Sequence, residues 1–124
     1  MSERRLKHFG WGREGEGLTA EEEASALDRY RRLFAVERFE ERGPPALSEI
    51  ALRAPRIAPP PALAPHCSSE PYDRVAHTYG KSFSDYVRGL AGEYDNAPDV
   101  VAYPRNEAEV AAVADWAGGA QAAL

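Results

Sequence analysis

The sequence predicts an α+β fold made of an N-terminal helix, a proline-rich extended segment and then a β-α unit. Three observations support this prediction. A helix cap opens an apolar repeat at residue 19, and eight of the ten prolines fall within residues 43–71. Within residues 98–110, an apolar run, a proline and a second helix cap follow one another. This last order is typical of a strand that passes its chain to a crossover helix.

Residues 18–42 have the pattern of an amphipathic helix. Thr19 is the predicted N-cap, and Glu22, three residues later, completes a capping box. The apolar residues that recur at helical spacing are Ala20, Ala24, Leu27, Tyr30 and Phe34. Because this spacing places them on one face, we predict a helix over residues 19–36.

The proline-rich segment, residues 43–71, is called the strap below. Proline removes an amide donor and biases the residue before it toward extended geometry. A regular helix or a central strand is therefore not expected here. The apolar residues spaced through the strap are Leu47, Ile50, Leu52, Ile57 and Leu63. We predict that they dock the extended strap on a neighbouring surface.

Regular structure is predicted again over residues 72–124, beginning with a helix capped by Ser82. Its apolar positions are Phe83, Tyr86, Val87 and Leu90. Two glycines, Gly89 and Gly92, are expected to weaken and end this helix.

A strand over residues 100–103 and a helix over residues 106–117 complete the predicted fold. Pro104 ends the strand because it offers no ladder donor, and Asn106 caps the helix. The predicted apolar stripe of the helix consists of Val110, Val113, Ala114 and Ala117. The predicted stop is Gly118 with Gly119, and residues 120–124 resemble the approach to a second strand.

That second strand would be the parallel partner of residues 100–103, and the sequence does not contain it. Parallel strands are normally buried on both faces. We therefore expect residues 98–124 of the isolated chain to be mobile or aggregation-prone, through an unpaired strand edge.

Composition excludes several classes of protein. The 124 residues carry a net charge of −5, which argues against a nucleic-acid partner, since phosphate neutralisation needs excess Lys and Arg. No apolar run approaches the roughly 18 residues of a membrane span, and the start has no apolar signal region. The single cysteine, Cys67, cannot form an internal disulfide. We therefore expect a cytoplasmic protein.

A G-x-G-x-x-G match occurs at Gly10, Gly12 and Gly15. A dinucleotide fingerprint needs a strand before it and a helix that opens within it, so that backbone amides face the pyrophosphate. The preceding residues are charged, and the predicted helix begins only at Thr19. We therefore do not predict a dinucleotide site here.

Residues 58–65 have P-x-x-P spacing, which could form a polyproline helix for a partner domain. The alternative is an intramolecular strap, and the interleaved Ile57 and Leu63 favour it.

His66, Cys67 and His77 are the candidate residues for metal or nucleophilic chemistry. Zinc would need further ligands that no second cluster supplies, and a nucleophilic cysteine would need an orienting group and an oxyanion hole. Structural roles are favoured. The residues alone therefore indicate no catalytic, cofactor-binding or metal-binding side chain.

Residues 74–117 resemble the beginning of the FAD-binding domain of the vanillyl-alcohol-oxidase/PCMH flavoprotein superfamily. Within it, the resemblance is strongest to the alkyldihydroxyacetonephosphate synthase subgroup and its bacterial FAD-linked oxidase relatives. The matching stretches are F-G-W-G at residues 9–12, L-S-E-I-A-L at 47–52, H-T-Y-G-K-S at 77–82 and P-D-V-V-A-Y-P at 98–104. Each motif is weak alone, but their order and spacing together are specific.

The resemblance implies that residues 1–71 form a helix-and-strap collar and that residues 72–124 begin a PCMH-type FAD-binding domain. In this superfamily a P-x-G-G-G-T-S loop after the second strand binds the FAD diphosphate. Gly118 and Gly119 are not that loop, because they precede the strand and lack the Thr-Ser. The resemblance therefore assigns no catalytic, cofactor-binding or metal-binding residue within 1–124.

The leading hypothesis is an N-terminal fragment of a longer FAD-dependent oxidoreductase. The parent would be hydroxyacid-oxidase-like or an alkylglycerone-phosphate synthase, which replaces an acyl group by an alkyl ether. A small-molecule substrate would bind through its C-terminal part, and a homodimer of the parent is left open. The fragment alone is expected to be inactive and to bind no FAD. The alternative is a complete small adaptor whose proline-rich segment binds a partner domain.

Overall fold

A computed structural model describes residues 5–124. Its helices are α1 (Ala20–Phe34), α2 (Pro71–Ala76), α3 (Phe83–Ala91) and α4 (Glu107–Gly119), and its strands are β1 (Cys67–Ser68) and β2 (Val101–Ala102). Two short 3₁₀ turns, Leu47–Glu49 and Ala64–His66, interrupt the strap. The chain is therefore a mixed helix and small-sheet structure, as predicted at the level of fold class.

Helix α1 begins as predicted and ends earlier than predicted. Thr19 accepts a hydrogen bond from the Glu22 amide, and the Glu22 carboxylate accepts one from the Thr19 amide, which is the predicted capping box. The helix ends at Phe34 because Ala35 adopts a left-handed conformation at φ 50°. No α1 residue is buried, and Tyr30 and Phe34 of its apolar face are exposed, while Leu27 is half-buried.

The strap docks through its apolar residues, as predicted. Ile50 and Leu63 are buried, and Ile50 forms a core cluster with Val75 of α2 and with Tyr94. Partly buried side chains of Leu47, Leu52 and Tyr79 pack against this cluster.

Strand β2 has a pairing partner that the sequence did not predict. Strand β1 comes from the strap and pairs antiparallel with β2, with Cys67 opposite Ala102 and Ser68 opposite Val101. The Tyr103 amide extends the pairing by donating to the His66 carbonyl at 2.7 Å. One edge of β2 is therefore paired with the strap, while the described residues contain no parallel partner for its other edge. The mobility of residues 98–124 stays a prediction. The strand itself is also shorter than the predicted residues 100–103.

Helix α4 is capped by Asn106 as predicted, but it ends at Gly119, two residues later than predicted. Gly118 and Gly119 lie inside the last turn, and the chain turns at Ala120 and at Gln121, which has φ 53°. Residues 122–124 form no strand.

The buried face of α4 is also narrower than the predicted stripe. Val113 and Ala117 are buried, whereas Val110 is 53% exposed and Ala114 is also exposed.

Helix α3 has the predicted Ser82 cap and the predicted Gly92 stop in left-handed conformation. Its apolar stripe is only partly covered, since Phe83 and Val87 are exposed. The covering element is an N-terminal hairpin, residues 5–14, in which Leu6 and Arg13 form an antiparallel bridge.

The contact of Phe9 with Gly89 joins this hairpin to α3. The Phe9 ring lies edge-on to Tyr86 at 5.2 Å between ring centroids, and it covers the Cα of the buried Gly89. A Cβ at Gly89 would lie 2.6 Å from the Phe9 ring. Gly89 was expected only to weaken the helix, but its missing side chain is what admits Phe9.

We predict that Gly89→Ala destabilises the protein although alanine favours a helix. The clash with Phe9 should lower the free energy of unfolding by about 1–3 kcal/mol, as overpacking does. The matched control is Gly118→Ala in α4, where no atom lies within 4 Å of the added Cβ. That variant should gain up to about 1 kcal/mol. Urea denaturation measures both, and a gain for both variants would contradict the packing described for Phe9.

Candidate functional site at the start of β2

Asp99, directly before β2, binds two arginines of the strap. Its side chain is 9% exposed, and Oδ1 accepts from Nη1 of Arg53 at 2.5 Å. Oδ2 accepts from Nη2 of Arg56 at 2.8 Å and from Nε of Arg56 at 3.1 Å. The Arg56 amide also donates to Oδ1 at 3.1 Å. This set of charge-assisted bonds, with Arg56 contributing most, lowers the pKa of the Asp99 carboxyl to about 2.

Arg74 of α2 binds the same stretch. This α2 side chain is 3% exposed, and its guanidinium donates to the carbonyls of Pro98 at 2.7 Å and Arg53 at 2.8 Å. Arg53 in turn donates to the Ala97 carbonyl at 2.9 Å. Residues 97–99 are therefore bound by three guanidinium groups, called the arginine clamp below: Arg53, Arg56 and Arg74.

A polar cavity of about 480 Å³ lies beside the clamp. Residues 96–100 line one part of it, and residues 120–123, which follow α4, line another. The chain that leaves α4 thus returns to the start of β2.

The opposite end of β2 carries a second polar cluster. The Tyr103 hydroxyl donates to Oδ1 of Asp73 at 2.7 Å, and Ser68 donates to Oδ2 of the same carboxylate at 2.5 Å. The His77 ring meets the Tyr103 ring edge-on at 5.7 Å. Partial burial, reinforced by the Asp73 bond, raises the pKa of Tyr103 to about 12. Tyr103 is therefore a fixed hydrogen-bond donor at neutral pH.

At this end the first turn of α4 also binds a strap residue. Arg105 donates to Oε1 of Glu109 at 3.2 Å and lies 3.2 Å from Nε2 of His66. The Arg105 amide, which donates to Glu109 at 2.7 Å, is the main cause that lowers the pKa of Glu109. Glu109 is therefore an anion that ties the loop after β2 to α4.

The glycines of the G-x-G-x-x-G match have a structural role in the hairpin. Gly10 and Gly12 occupy left-handed turn conformations, at φ 76° and 88°, in the tip of the hairpin. The element after them is a turn, and the following helix begins only at Ala20. The G-x-G-x-x-G match is therefore a hairpin turn without the context of a fingerprint.

His66 and His77 flank Tyr103 through its backbone and its ring, respectively. Cys67 lies in β1, and burial raises the pKa of its thiol, which opposes a nucleophilic role. Within residues 5–124, no three His, Cys, Asp or Glu side chains come together as a metal ion would require.

Arg74 and Asp99 are important side chains of the site whose roles the sequence patterns did not indicate. Arg74 stands in a short helix beside Val75, and its local pattern does not distinguish it from a solvent-exposed arginine. Asp99 was noticed only as part of the P-D-V-V stretch. Both take their roles from partners more than twenty residues away.

No α-helix in residues 5–124 is both long enough and apolar enough to cross a membrane.

Comparison with known proteins confirms the resemblance to alkyldihydroxyacetonephosphate synthase. No family model matches the chain. A curated alkyldihydroxyacetonephosphate synthase from Dictyostelium discoideum is 43% identical over 37 residues, which cover 30% of this chain and 6% of that protein.

Two solved structures of alkyldihydroxyacetonephosphate synthase, in different space groups, share the fold. They match with TM-scores of 0.68 and 0.66 at 20% and 19% identity. Each match covers 94% of this chain but only 26% or 25% of the other. The chain therefore spans about a quarter of the solved relatives.

We predict that Asp99→Asn weakens the arginine clamp in a pH-dependent manner. The folded-state pKa of about 2 lies below the ordinary value of 3.8. The ionised carboxylate therefore stabilises the fold above about pH 4, and this contribution is lost as the pH falls toward about 2. At pH 7 the variant should lose about 1–2 kcal/mol of unfolding free energy, allowing for solvent screening at the exposed Arg56.

The matched control is Asp95→Asn, which removes the same charge from an exposed side chain that has no hydrogen bond in the described structure. Chemical denaturation at several pH values measures both variants. A deficit in Asp99→Asn that is no larger than in the control, or that grows on acidification, would contradict the assigned role.

Proposed function

We propose that this chain forms the N-terminal part of an FAD-dependent oxidoreductase related to alkyldihydroxyacetonephosphate synthase. The observation that carries the proposal is the position of residues 120–123 beside residues 96–100, at the start of β2. It is supported by the shared fold with a part of the solved synthases.

A strand that follows residues 120–123 would begin next to the first residues of β2. Strand β1 occupies one edge of β2, and in residues 5–124 the sheet contains no third strand. The other edge of β2 is therefore open to a parallel partner reached through α4. A helical crossover between parallel neighbours is the usual connection of this kind.

The proposed flavin site lies at the carboxyl end of that next strand. In open α/β sheets, ligands bind at the carboxyl ends of the strands, where loops and helix N-termini supply free amides. On this chain the corresponding end of β2 continues into Pro104, Arg105 and Asn106. We assign no described side chain to the flavin, because the glycine-rich loop expected from the resemblance would follow the next strand.

In this proposal, residues 1–71 are a collar and residues 72–124 begin a PCMH-type FAD-binding domain. The clamp joins the two, since Arg53 and Arg56 belong to the collar and Asp99 to the domain. The complete protein would act on a small-molecule substrate, as a hydroxyacid-oxidase-like enzyme or an alkylglycerone-phosphate synthase. The single cysteine favours the cytoplasm, and a homodimer is compatible with the proposal.

The conformation of the strap does not favour the adaptor alternative. Residues 61–66 form a turn and a 3₁₀ segment, in which the Pro60 carbonyl accepts from the amides of Leu63 and Ala64. A polyproline helix has no such internal bonds. Leu63 is buried against the protein itself.

We predict that FAD binding requires the sequence that follows residue 124. The coding sequence beyond Leu124 should encode a strand and then a P-x-G-G-G-T-S loop, and the longer protein should be purified with visible flavin absorbance. The chain of 124 residues should show none, because it lacks the free amides that the diphosphate needs. A longer variant in which two loop glycines are replaced by valine is the matched control and should lose the flavin.

Two outcomes would overturn this proposal. One is a natural stop after residue 124 with no flavoprotein sequence downstream, which would favour the adaptor. The other is stoichiometric flavin in the purified chain of 124 residues.

A further inference from the structure

The junction of the strap, β2 and α4 holds a histidine ring between two opposite charges. The side chain of His66 is 20% exposed, and its Nε2 lies 3.2 Å from Nη2 of Arg105 and 3.6 Å from Oε1 of Glu109. The Tyr103 amide donates to the carbonyl of the same histidine at 2.7 Å, which fixes the backbone beside the ring. The ring therefore lies between a cation and an anion that come from different elements.

The contact with Arg105 requires an Nε2 atom that carries no proton. A guanidinium has hydrogen-bond donors only, and it does not lose its charge in proteins. An approach of 3.2 Å is favourable only if Nε2 offers its lone pair, which places the ring proton of His66 on Nδ1. When the ring is neutral, His66 is therefore an acceptor for Arg105.

A second proton on the ring reverses this preference. Histidine ordinarily gains that proton between about pH 5 and 8. An N–H at Nε2 would then face the Arg105 guanidinium with the same charge, whereas Oε1 of Glu109 is an anionic acceptor 3.6 Å away. Glu109 stays ionised in this range, because the bond from the Arg105 amide lowers the pKa of its carboxyl.

The other titratable groups beside His66 do not change their charge in this range. Of the residues that the structure describes, Arg105 and Glu109 are the charged ones that contact the ring. Cys67 and Tyr103 adjoin it in the sheet, and burial raises the pKa of both side chains, that of Tyr103 to about 12. Both stay neutral, so the proton on His66 is the variable charge of this junction.

We propose that His66 exchanges its partner from Arg105 to Glu109 when it gains its second proton, which makes this junction a pH-sensitive latch. With the ring neutral, Arg105 bridges His66 of the strap and Glu109 of α4. With the ring charged, the imidazolium replaces Arg105 on Oε1, and the guanidinium, whose side chain is already 70% exposed, turns to solvent. The Arg105 amide remains bonded to Glu109, so the backbone of the loop stays in place. The latch uses described residues only and is independent of the flavin proposal.

The tautomer of the ring tests this proposal without any change to the latch. Long-range ¹H–¹⁵N spectra of the ¹⁵N-labelled chain separate the ring nitrogens of its three histidines, and a His66→Gln sample assigns those of His66. At pH 8 we expect the His66 proton on Nδ1 and a bare Nε2. A proton on Nε2 at this pH would overturn the proposal, because Arg105 would then have no acceptor on the ring.

The exchange of partners is followed through Arg105. As the pH is lowered from 8 to 5, the guanidinium signals of Arg105 should shift in step with those of the His66 ring. In His66→Gln the Arg105 signals should stay in place over the same range. Arg105 signals that shift equally in both proteins, or in neither, would contradict the exchange.

A matched pair of variants separates a bond to Glu109 from an effect of net charge. Glu107 and Glu109 both lie in the first turn of α4, but Glu107 is exposed and has no hydrogen bond or ion pair in the described structure. At pH 5 the Nε2 proton of His66 should exchange with water about tenfold faster in Glu109→Gln, as expected for one lost charge-assisted bond. Glu107→Gln should leave the exchange rate unchanged. Equal rates in the two variants would show that the imidazolium makes no bond to Glu109, and the latch would be ruled out.

Discussion

The arginine clamp is the interaction on which the arrangement of this chain depends. Arg74 is buried with its charge, and a buried charge is tolerated only when hydrogen bonds replace its hydration. Its partners are carbonyls of Pro98 and Arg53, so α2, the strap and the approach to β2 must meet at one point. The negative charge of Asp99 imposes the same constraint, because its carboxylate is paired with Arg53 and Arg56. A displaced strap would leave charges of both signs without partners.

The position of the sheet follows from this constraint. With residues 97–99 bound, β2 begins at a defined place, and β1 of the strap can pair with it in one register. The pairing has only two residues on each strand, which is too short to be stable without neighbouring contacts. The clamp at one end of β2 and the Tyr103–Asp73 bond at the other supply them. The small sheet is thus a consequence of side-chain bonding around it.

Local signals in the sequence predicted three of the four helices, and they missed α2, whose N-terminus has no side-chain cap. Thr19, Ser82 and Asn106 all cap the helices assigned to them, because capping depends on residues within one turn. The helix ends were less predictable. Ala35 and Gln121 adopt left-handed conformations, which are usually adopted by glycine, so the sequence did not indicate these ends. Gly118 and Gly119, in contrast, are helical.

Long-range features could not be predicted from the same patterns. Strand β1 has two residues in a proline-rich segment, too few for any alternation, and their partners in β2 lie 33 and 35 positions away. The local sequence indicated only that Gly89 weakens its helix. Its packing role depends on Phe9, which lies eighty residues earlier and contacts the Cα of Gly89. The stretches that carry the family resemblance were visible one by one. Their contact, with Lys81 of one bonded to Gly10 of another, becomes visible only in the fold.

The order in which the members of the clamp occur in the sequence has a consequence for synthesis on the ribosome. All three arginines that bind residues 97–99 precede them in the sequence. When Asp99 emerges, its cations and the β1 edge have already been made, so β2 can be captured as soon as it leaves the exit tunnel. Proteins of several units generally fold from the N-terminus during translation. The strap, which is completed before β2, would shield one side of the nascent strand from misassociation.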